Sequence, residues 1–414
     1  MPGGQGNASL LSRDFLLLLG SVSLYGFSWS FYLILPKYFA SELGMDAAAI
    51  GRAVALQGVT AVVVTPLVGW LVDRYGRRPW LTVGDLMIGL TGVLYIFVDR
   101  EGLLLYLAQI CWGVGMVMGF NAAGAMTADI APSDRMAQAI GLFGAANLGM
   151  NAISPTIAEL LAGSVGWVWV FVASASAGLV AALMSTRLKE PARHVPQADD
   201  IRRPILGSSL LRVYGTTALM TAAFTALFTL HQPFALEQGV TQVRGFFIGF
   251  ALVALTVRLG GGRLIDRFGV LRASVVSVAL YSVVPPTLGL LGADRLFVIG
   301  AMMGFAHGIA YPALTALAIA RADAAARGRV VSIIHGAFNG GHAFFAYVVG
   351  GMAAERGFES AFWAAALLTF AGALLLGLQG RGTRVSGAPP ALGSDTVRLG
   401  DCDGGQAQPA DRNR

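Results

Sequence analysis

Apolar residues run along this chain in twelve long blocks separated by short polar stretches. The blocks fall at about 14–39, 47–72, 79–98, 102–130, 135–162 and 165–187, then at about 208–235, 243–265, 270–292, 294–320, 328–354 and 359–380. Each approaches the roughly 20 residues that a helix needs to cross a bilayer. Helices are the only element that fits, because hydrocarbon offers no partner to an unpaired backbone group. The pattern predicts an all-α integral membrane protein of twelve transmembrane helices, in two pseudo-symmetric bundles of six.

The polar stretches carry the second signal. Gly69-Trp70-Leu71-Val72-Asp73-Arg74-Tyr75-Gly76, followed by Arg77-Arg78-Pro79, returns as Gly262-Arg263-Leu264-Ile265-Asp266-Arg267-Phe268-Gly269. Both copies end an apolar block, and 193 positions separate Asp73 from Asp266. Arg135 to Gly144 likewise matches Arg327 to Gly336, and Asn147 matches Asn339 at an offset of 192. Pro36 and Pro233 stand near the outer ends of spans one and seven, where each weakens its helix. A charged loop repeated between apolar spans in two halves of one chain indicates a duplicated transporter fold.

Composition agrees. The chain is 55% hydrophobic and 13% charged, against roughly 25% charged in soluble proteins. Its 54 glycines suit close helix–helix approach. The net charge of +6 does not point to nucleic acid, since the basic residues sit in loops between spans. Counted on the twelve-span map, 22 of the 29 Lys and Arg fall on the side of the termini, six on the other, and Arg258 lies within a span. That excess predicts cytoplasmic termini and a multi-pass protein of the plasma (inner) membrane. The expected division is a cytoplasmic segment at 1–13, a first bundle at 14–187, a cytoplasmic linker at 188–207, a second bundle at 208–380 and a disordered cytoplasmic tail at 381–414. Cys111 and Cys402 make no disulfide framework, and Met1 to Arg13 does not read as a cleavable signal.

On these residues the chain resembles a major facilitator superfamily transporter, over roughly 14–380. The most specific element is the loop Gly69 to Arg78, with a weaker copy after span eight. Gly304-Phe305-Ala306-His307-Gly308-Ile309-Ala310-Tyr311-Pro312 is similar to span ten of drug and sugar efflux permeases. The resemblance implies alternating access, in which two bundles rock around a central cavity. It implies a conformational gate in which Asp73 faces the start of span eleven, Arg77 and Arg74 pair with Asp129, and Gly69 lets spans two and eleven approach. Gly76, Arg78, Gly262, Asp266, Arg267 and Gly269 complete the two copies. Two departures stand out: Gln109 holds a span-four position often occupied by Arg, and Ser154-Pro155-Thr156-Ile157-Ala158-Glu159 replaces the antiporter motif of span five.

In such a fold spans one, four, seven and ten line the cavity. Tyr25, Trp29 and Tyr32 share one face of span one, as an aromatic wall or as ordinary packing. Gln109 and Asn121 lie on span four, His231 and Gln232 end span seven, and His307 and Tyr311 stand one turn apart on span ten. His231 or His307 could couple protons, because histidine titrates near neutral pH; hydrogen-bonded helix contacts are the alternative. Asp85, on span three, is either a buried proton site or a partner of the nearby arginines. His335, Asn339 and His342 share a face of span eleven with no carboxylate or thiol beside them, so interhelical hydrogen bonding is expected rather than a metal. Arg258 is expected to snorkel to the cytoplasmic edge or contact an anionic lipid, and Glu159 to face water near the outer end of span five.

The middles of spans one, four, seven and ten contain no Asp, Glu, Lys or Arg, which predicts a neutral or amphipathic small organic solute. No Walker loop or nucleophile–base pair is present, so the chain reads as a non-enzyme without a cofactor, whose partners are its solute, membrane lipid and possible coupling protons. Proton-coupled efflux is the leading reading. An uptake symporter or facilitator of the same fold, and a non-transporting sensor or partner protein, remain alternatives.

Overall fold

The structure is a computed structural model that describes residues 12–132, 135–190, 206–323 and 326–378; the side chains of 137, 261–266 and 291 are also outside the description. Twelve helical spans occupy the described residues, with no strand among them. The first six are α1 (Arg13–Ser41), α2 (Ala47–Tyr75), α3 (Arg77–Ile96), α4 (Leu103–Ile130), α5 (Met136–Ser164) and α6 (Trp167–Ser185). The second six are α7 (Ser208–Glu237), α8 (Arg244–Phe268), α9 (Val270–Val283, followed by a short turn at Thr287–Leu291), α10 (Leu296–Ala320), α11 (Arg327–Arg356) and α12 (Phe358–Gly377). The expected linker and tail fall almost wholly outside the described residues.

The duplication is written in the backbone. Gly76 ends α2 with φ of 105° and Gly269 ends α8 with φ of 82°. Only a residue without Cβ takes that left-handed region at little cost, so each copy of the octet is a helix-stop glycine that opens the next helix at once. Gly44 and Gly239, and Gly166 and Gly357, are further positive-φ pairs at matching places. The two prolines act alike as well. Neither Pro36 nor Pro233 can donate to the carbonyl four residues back. α1 accordingly passes through a 3-10 turn at Phe31–Ile34, and α7 through a π turn at Ala226–Leu230.

Within the first bundle α3 packs on α4 and α6, α2 on α4, and α1 on α5 and α6. The second bundle repeats this with α8 on α10, α9 on α10 and α12, and α7 on α11 and α12. Glycine permits the tightest of these contacts: a methyl at Gly300 would stand 2.1 Å from Phe246 O across the α8–α10 seam. The bundles meet mainly along two seams, α2 with α11 and α5 with α8. Among the described residues, eight spans are long and apolar enough by length and composition to cross a membrane. Outside, Val63, Leu183, Leu259 and Leu367 are more than half exposed, a surface suited to hydrocarbon.

Candidate solute pathway and its two ends

The end away from the termini is sealed between the bundles by one carboxylate. Glu159, near the end of α5, accepts hydrogen bonds from the backbone N–H groups of Val243 (2.8 Å) and Arg244 (3.0 Å) at the start of α8. A helix N-terminus presents such unpaired donors with a positive dipole end, so an anion is favoured there. Lys37 of α1 pairs with the same carboxylate and donates to Thr241 O, and Arg244 Nη1 lies 3.6 Å from Glu159 Oε2. Glu159 is only 6% exposed, which corrects the expectation of a water-facing residue. Gln232 adds a second bridge: its Nε2 donates to Leu33 O (2.8 Å) and its Oε1 accepts from the Lys37 N–H (3.1 Å). Gln232 is thus part of the seal, with its side chain fully buried.

Beneath these bridges α2 and α11 touch through their backbones. A methyl at Gly51 would lie 2.3 Å from Ala346 O, and one at Gly58 would lie 2.8 Å from Ala343 Cβ.

At the end that carries the termini the two seams are parted. Among the described residues nothing lies within 4 Å of where a methyl on Gly69 would stand, and the close approach of α2 and α11 is made instead at Gly51 and Gly58. Gly141 and Gly144 on α5, Gly260 on α8, and Gly328 and Gly336 on α11 are equally open. Asp73 is largely exposed, and among the described residues it pairs with Arg77, 3.9 Å away, rather than with the start of α11. Arg77 Nε donates to Asp129 Oδ2 at 2.9 Å, while Arg74 lies over the rings of Trp70 and Tyr75. Those arginine contacts tie the first bundle to itself. Glu190, which sequence reasoning passed over, receives the N–H groups of Arg77 and Arg78 at the start of α3 and fills the space beside Gly76. Arg78 also donates to Leu188 O. In the second copy Arg267 closes the last turn of α8; the side chains at Gly262 and Asp266 lie outside the described residues.

Between the ends, the expected aromatic wall divides. Tyr25 and Tyr32 are core residues of the first bundle, with hydroxyls donated to Met116 O and Ile88 O. Trp29 alone leans towards α5, its Nε1 3.4 Å from Asn147 Oδ1, beside the Ser30–Asn151 hydrogen bond. Gln109 is fully buried, with neither amide atom bonded, and does not face an open path. Asn121 is partly exposed. Asp85 is buried inside the first bundle with Ser21 Oγ 3.4 Å from Oδ2 and no partner on Oδ1; no arginine reaches it. His231 is stacked on Phe246, donates Nδ1 to Leu227 O, and belongs to the second-bundle core.

His307 is placed differently. It stacks on Tyr311 (5.8 Å between ring centres), shares a 3.3 Å hydrogen bond with Tyr281, and lies against Phe224 and Phe338. Tyr311 in turn bonds His335 of α11 at 3.2 Å, and His335 faces Phe120 of α4 across the bundle interface. His342 bonds Thr225 of α7 (2.8 Å). The span-eleven histidines therefore make the interhelical hydrogen bonds expected of them. No group of three or more metal-ligating side chains occurs among the described residues.

The sequence profile described as Major Facilitator Superfamily matches residues 17–285 and 239–396. The chain belongs to that superfamily. It is a multi-pass membrane transport protein and not an enzyme. The two overlapping matches are consistent with the internal duplication seen in the backbone. Among curated relatives, Multidrug resistance protein 1 of Bacillus subtilis is 28% identical over 162 residues, 39% of this chain and 41% of that protein. Quinolone resistance protein NorA of Staphylococcus aureus is 23% identical over 207 residues, 48% of this chain and 53% of that protein. The alignments thus span about half or less of the relatives' length. The crystal structure of the POT family transporter PepTSo superposes with a TM-score of 0.75 over 89% of this chain and 98% of that one, at 13% identity, a likeness of fold alone.

Set on this superfamily fold, the sequence-derived gate residues Asp73, Arg74, Arg77, Arg78 and Asp129 gather at one corner, with Arg74 on the rings of Trp70 and Tyr75 rather than on Asp129. The solute-path residues do not gather: Tyr25, Tyr32, Gln109 and His231 are core, Gln232 is in the seal, and His307 with Tyr311 is left facing the interface beside His335.

Proposed function

We propose that this chain is a secondary active transporter of the plasma membrane that exports a small amphipathic organic solute by alternating access, against proton entry. The single observation that carries the reading is the asymmetry between the two ends. Glu159 holds the start of α8 at one end, while Asp73 and Gly69, the corresponding acid and glycine on α2, stand apart from the start of α11 at the other. α5 meets α8 as α2 meets α11, so the two acids are counterpart latches, engaged one at a time. In this conformation the open end is the one bearing the termini. The excess of Lys and Arg there makes it the cytoplasmic end, from which an exporter loads.

Efflux as the direction is supported by the multidrug and quinolone resistance relatives. For proton coupling we assign His307. It is the candidate that faces the bundle interface through Tyr311 and His335, whereas His231 and Asp85 are enclosed within single bundles.

The test is a transport assay in everted membrane vesicles from cells expressing the chain, loaded with a panel of labelled amphipathic compounds. Accumulation that collapses on addition of a protonophore supports proton-coupled export. Accumulation insensitive to the proton gradient would refute the coupling. Movement only down a solute gradient, or in the opposite direction, would replace the reading with a facilitator or an uptake symporter.

A further inference from the structure

The expectation of an uncharged solute rested on spans one, four, seven and ten, but the second bundle brings a charge to the path from α8. Arg258 lies fourteen positions into that helix, about 21 Å from its first residue at 1.5 Å per residue, and ten positions from Phe268. It is therefore deep in the span rather than at its edge, which corrects the snorkelling expected of it. Val257, its neighbour, packs against Gly308 of α10, 3.0 Å from where a methyl would stand, and this sets Arg258 level with the following turn. Arg258 thus stands level with Tyr311, one turn beyond His307 on α10. Its Nε is buried and has no hydrogen-bond partner, and no ion pair to it occurs among the described residues.

A guanidinium held at membrane depth without a counter-charge is costly, so such residues are found where a charged ligand or water-filled path meets them. The groups around this one are suited to the same visitor. Tyr311, His307 and His335 offer donors, Phe224 and Phe338 offer apolar faces, and the middles of α7, α10 and α11 hold no Asp or Glu. We infer that Arg258 is the anion-binding group of the solute site, and that the exported solute is an organic carboxylate with an aromatic or otherwise apolar body. The inference rests on the transport reading for the identity of the site, but its test is one of binding.

The experiment measures binding to purified full-length protein in an uncharged detergent, by calorimetry and by melting temperature. Three matched probes are compared: 2-naphthoate, 2-naphthamide and 2-naphthylmethylammonium. Wild type is expected to bind the carboxylate about tenfold or more tighter than the amide, the effect of one charge-assisted contact in a buried site. Arg258→Met should lose that preference while keeping the amide affinity, which also reports an intact fold. Arg258→Lys should retain part of it, because a point charge replaces a fork. Should Arg258→Met not fold, the wild-type preference and its reduction in Arg258→Lys decide the matter. Wild type that binds none of the probes, or shows no preference among them, overturns the inference. So does a preference that survives in Arg258→Met. A melting temperature that responds through Arg258 to phosphatidylglycerol, with no preference among the probes, would assign the arginine to lipid instead. Binding selectivity without vesicle export would sink the transport reading and leave this site standing; export without selectivity would do the reverse.

Discussion

Gly51 and Gly350 face one another across the bundle interface so closely that a methyl on either would stand about 3 Å from the other's Cα (3.1 and 2.9 Å). At the opposite end of the same two helices, Gly69 faces open space. α2 and α11 therefore form a wedge, joined at the far end and parted at the end of the termini. The difference between these glycines makes the first prediction.

Gly51→Ala places a methyl 2.3 Å from a backbone oxygen that has no side chain to move aside. It should disfavour the sealed far end by about 1–3 kcal/mol, the usual effect of overpacking. Gly69→Ala should leave this conformation and its melting temperature unchanged, yet slow transport, because the reciprocal state needs the approach at Gly69. Labelling of an Asn151→Cys reporter by an impermeant maleimide added outside, in a chain lacking Cys111 and Cys402, would rise in Gly51→Ala and fall in Gly69→Ala. Equal labelling in both would rule out the wedge as the moving part.

Glu159→Gln keeps an acceptor for the Val243 and Arg244 N–H groups but removes the charge that holds Lys37 and complements the start of α8. Outside labelling of the same reporter should increase several-fold. Glu159→Ala, which also strips the cap, should increase it further by the equivalent of about 1 kcal/mol. Unchanged labelling in both variants would mean that the seal does not depend on this carboxylate.

Asp73 is more than half exposed, and its contact with Arg77 is long, so in this conformation the pair adds little stability. Asp73→Asn should therefore leave the melting temperature within about 0.5 kcal/mol of wild type. It should also keep solute binding and reduce export several-fold by weakening the other state. Full export would mean that the other state does not depend on this carboxylate.

His307→Gln should retain export down a solute gradient and lose acceleration by a proton gradient, whereas Asp85→Asn, which keeps the Ser21 contact, should retain both. Comparing the two variants in vesicles with and without an imposed pH gradient settles the assignment. Gln109→Leu removes two buried amide atoms that have no partners, so it should be neutral or stabilising, with affinity unchanged.

Local pattern carried the spans and their breaks into the sequence in readable form. Apolar length gave the helices; Gly76 and Gly269 announced their corners, and Pro36 and Pro233 their interrupted turns. The corner where Arg77 meets Asp129 was legible only through the family resemblance, which implied that the loop arginine pairs with the acid ending span four. What was illegible is which face of a helix looks where. Tyr25, Trp29 and Tyr32 share a face by spacing, yet spacing does not say that the face turns into the first bundle. Glu159 went unrecognised for a related reason: its partners are backbone groups of Val243 and Arg244 in the other bundle, and a helix N-terminus leaves no side-chain mark. Arg258 was misjudged because its distance to the end of α8 depends on a helix that runs on to Phe268.

The π turn at Ala226–Leu230 has a consequence of its own. A π turn holds one residue more than an α turn closes over. Rewinding the turn as ordinary α-helix, with no residue removed, would swing everything beyond it by about 100° around the helix axis, one residue's share of a 3.6-residue turn. His231 would leave Phe246, and Gln232 would leave Leu33 and Lys37. The outer segment of α7 would keep every amino acid it has and face a different neighbour. The closure therefore depends on the winding of one helix: a one-residue deletion at Thr229 would remove the π turn and leave the outer bridge facing as it does, whereas rewinding that turn with the sequence intact would undo the bridge as surely as replacing the bridge residues themselves.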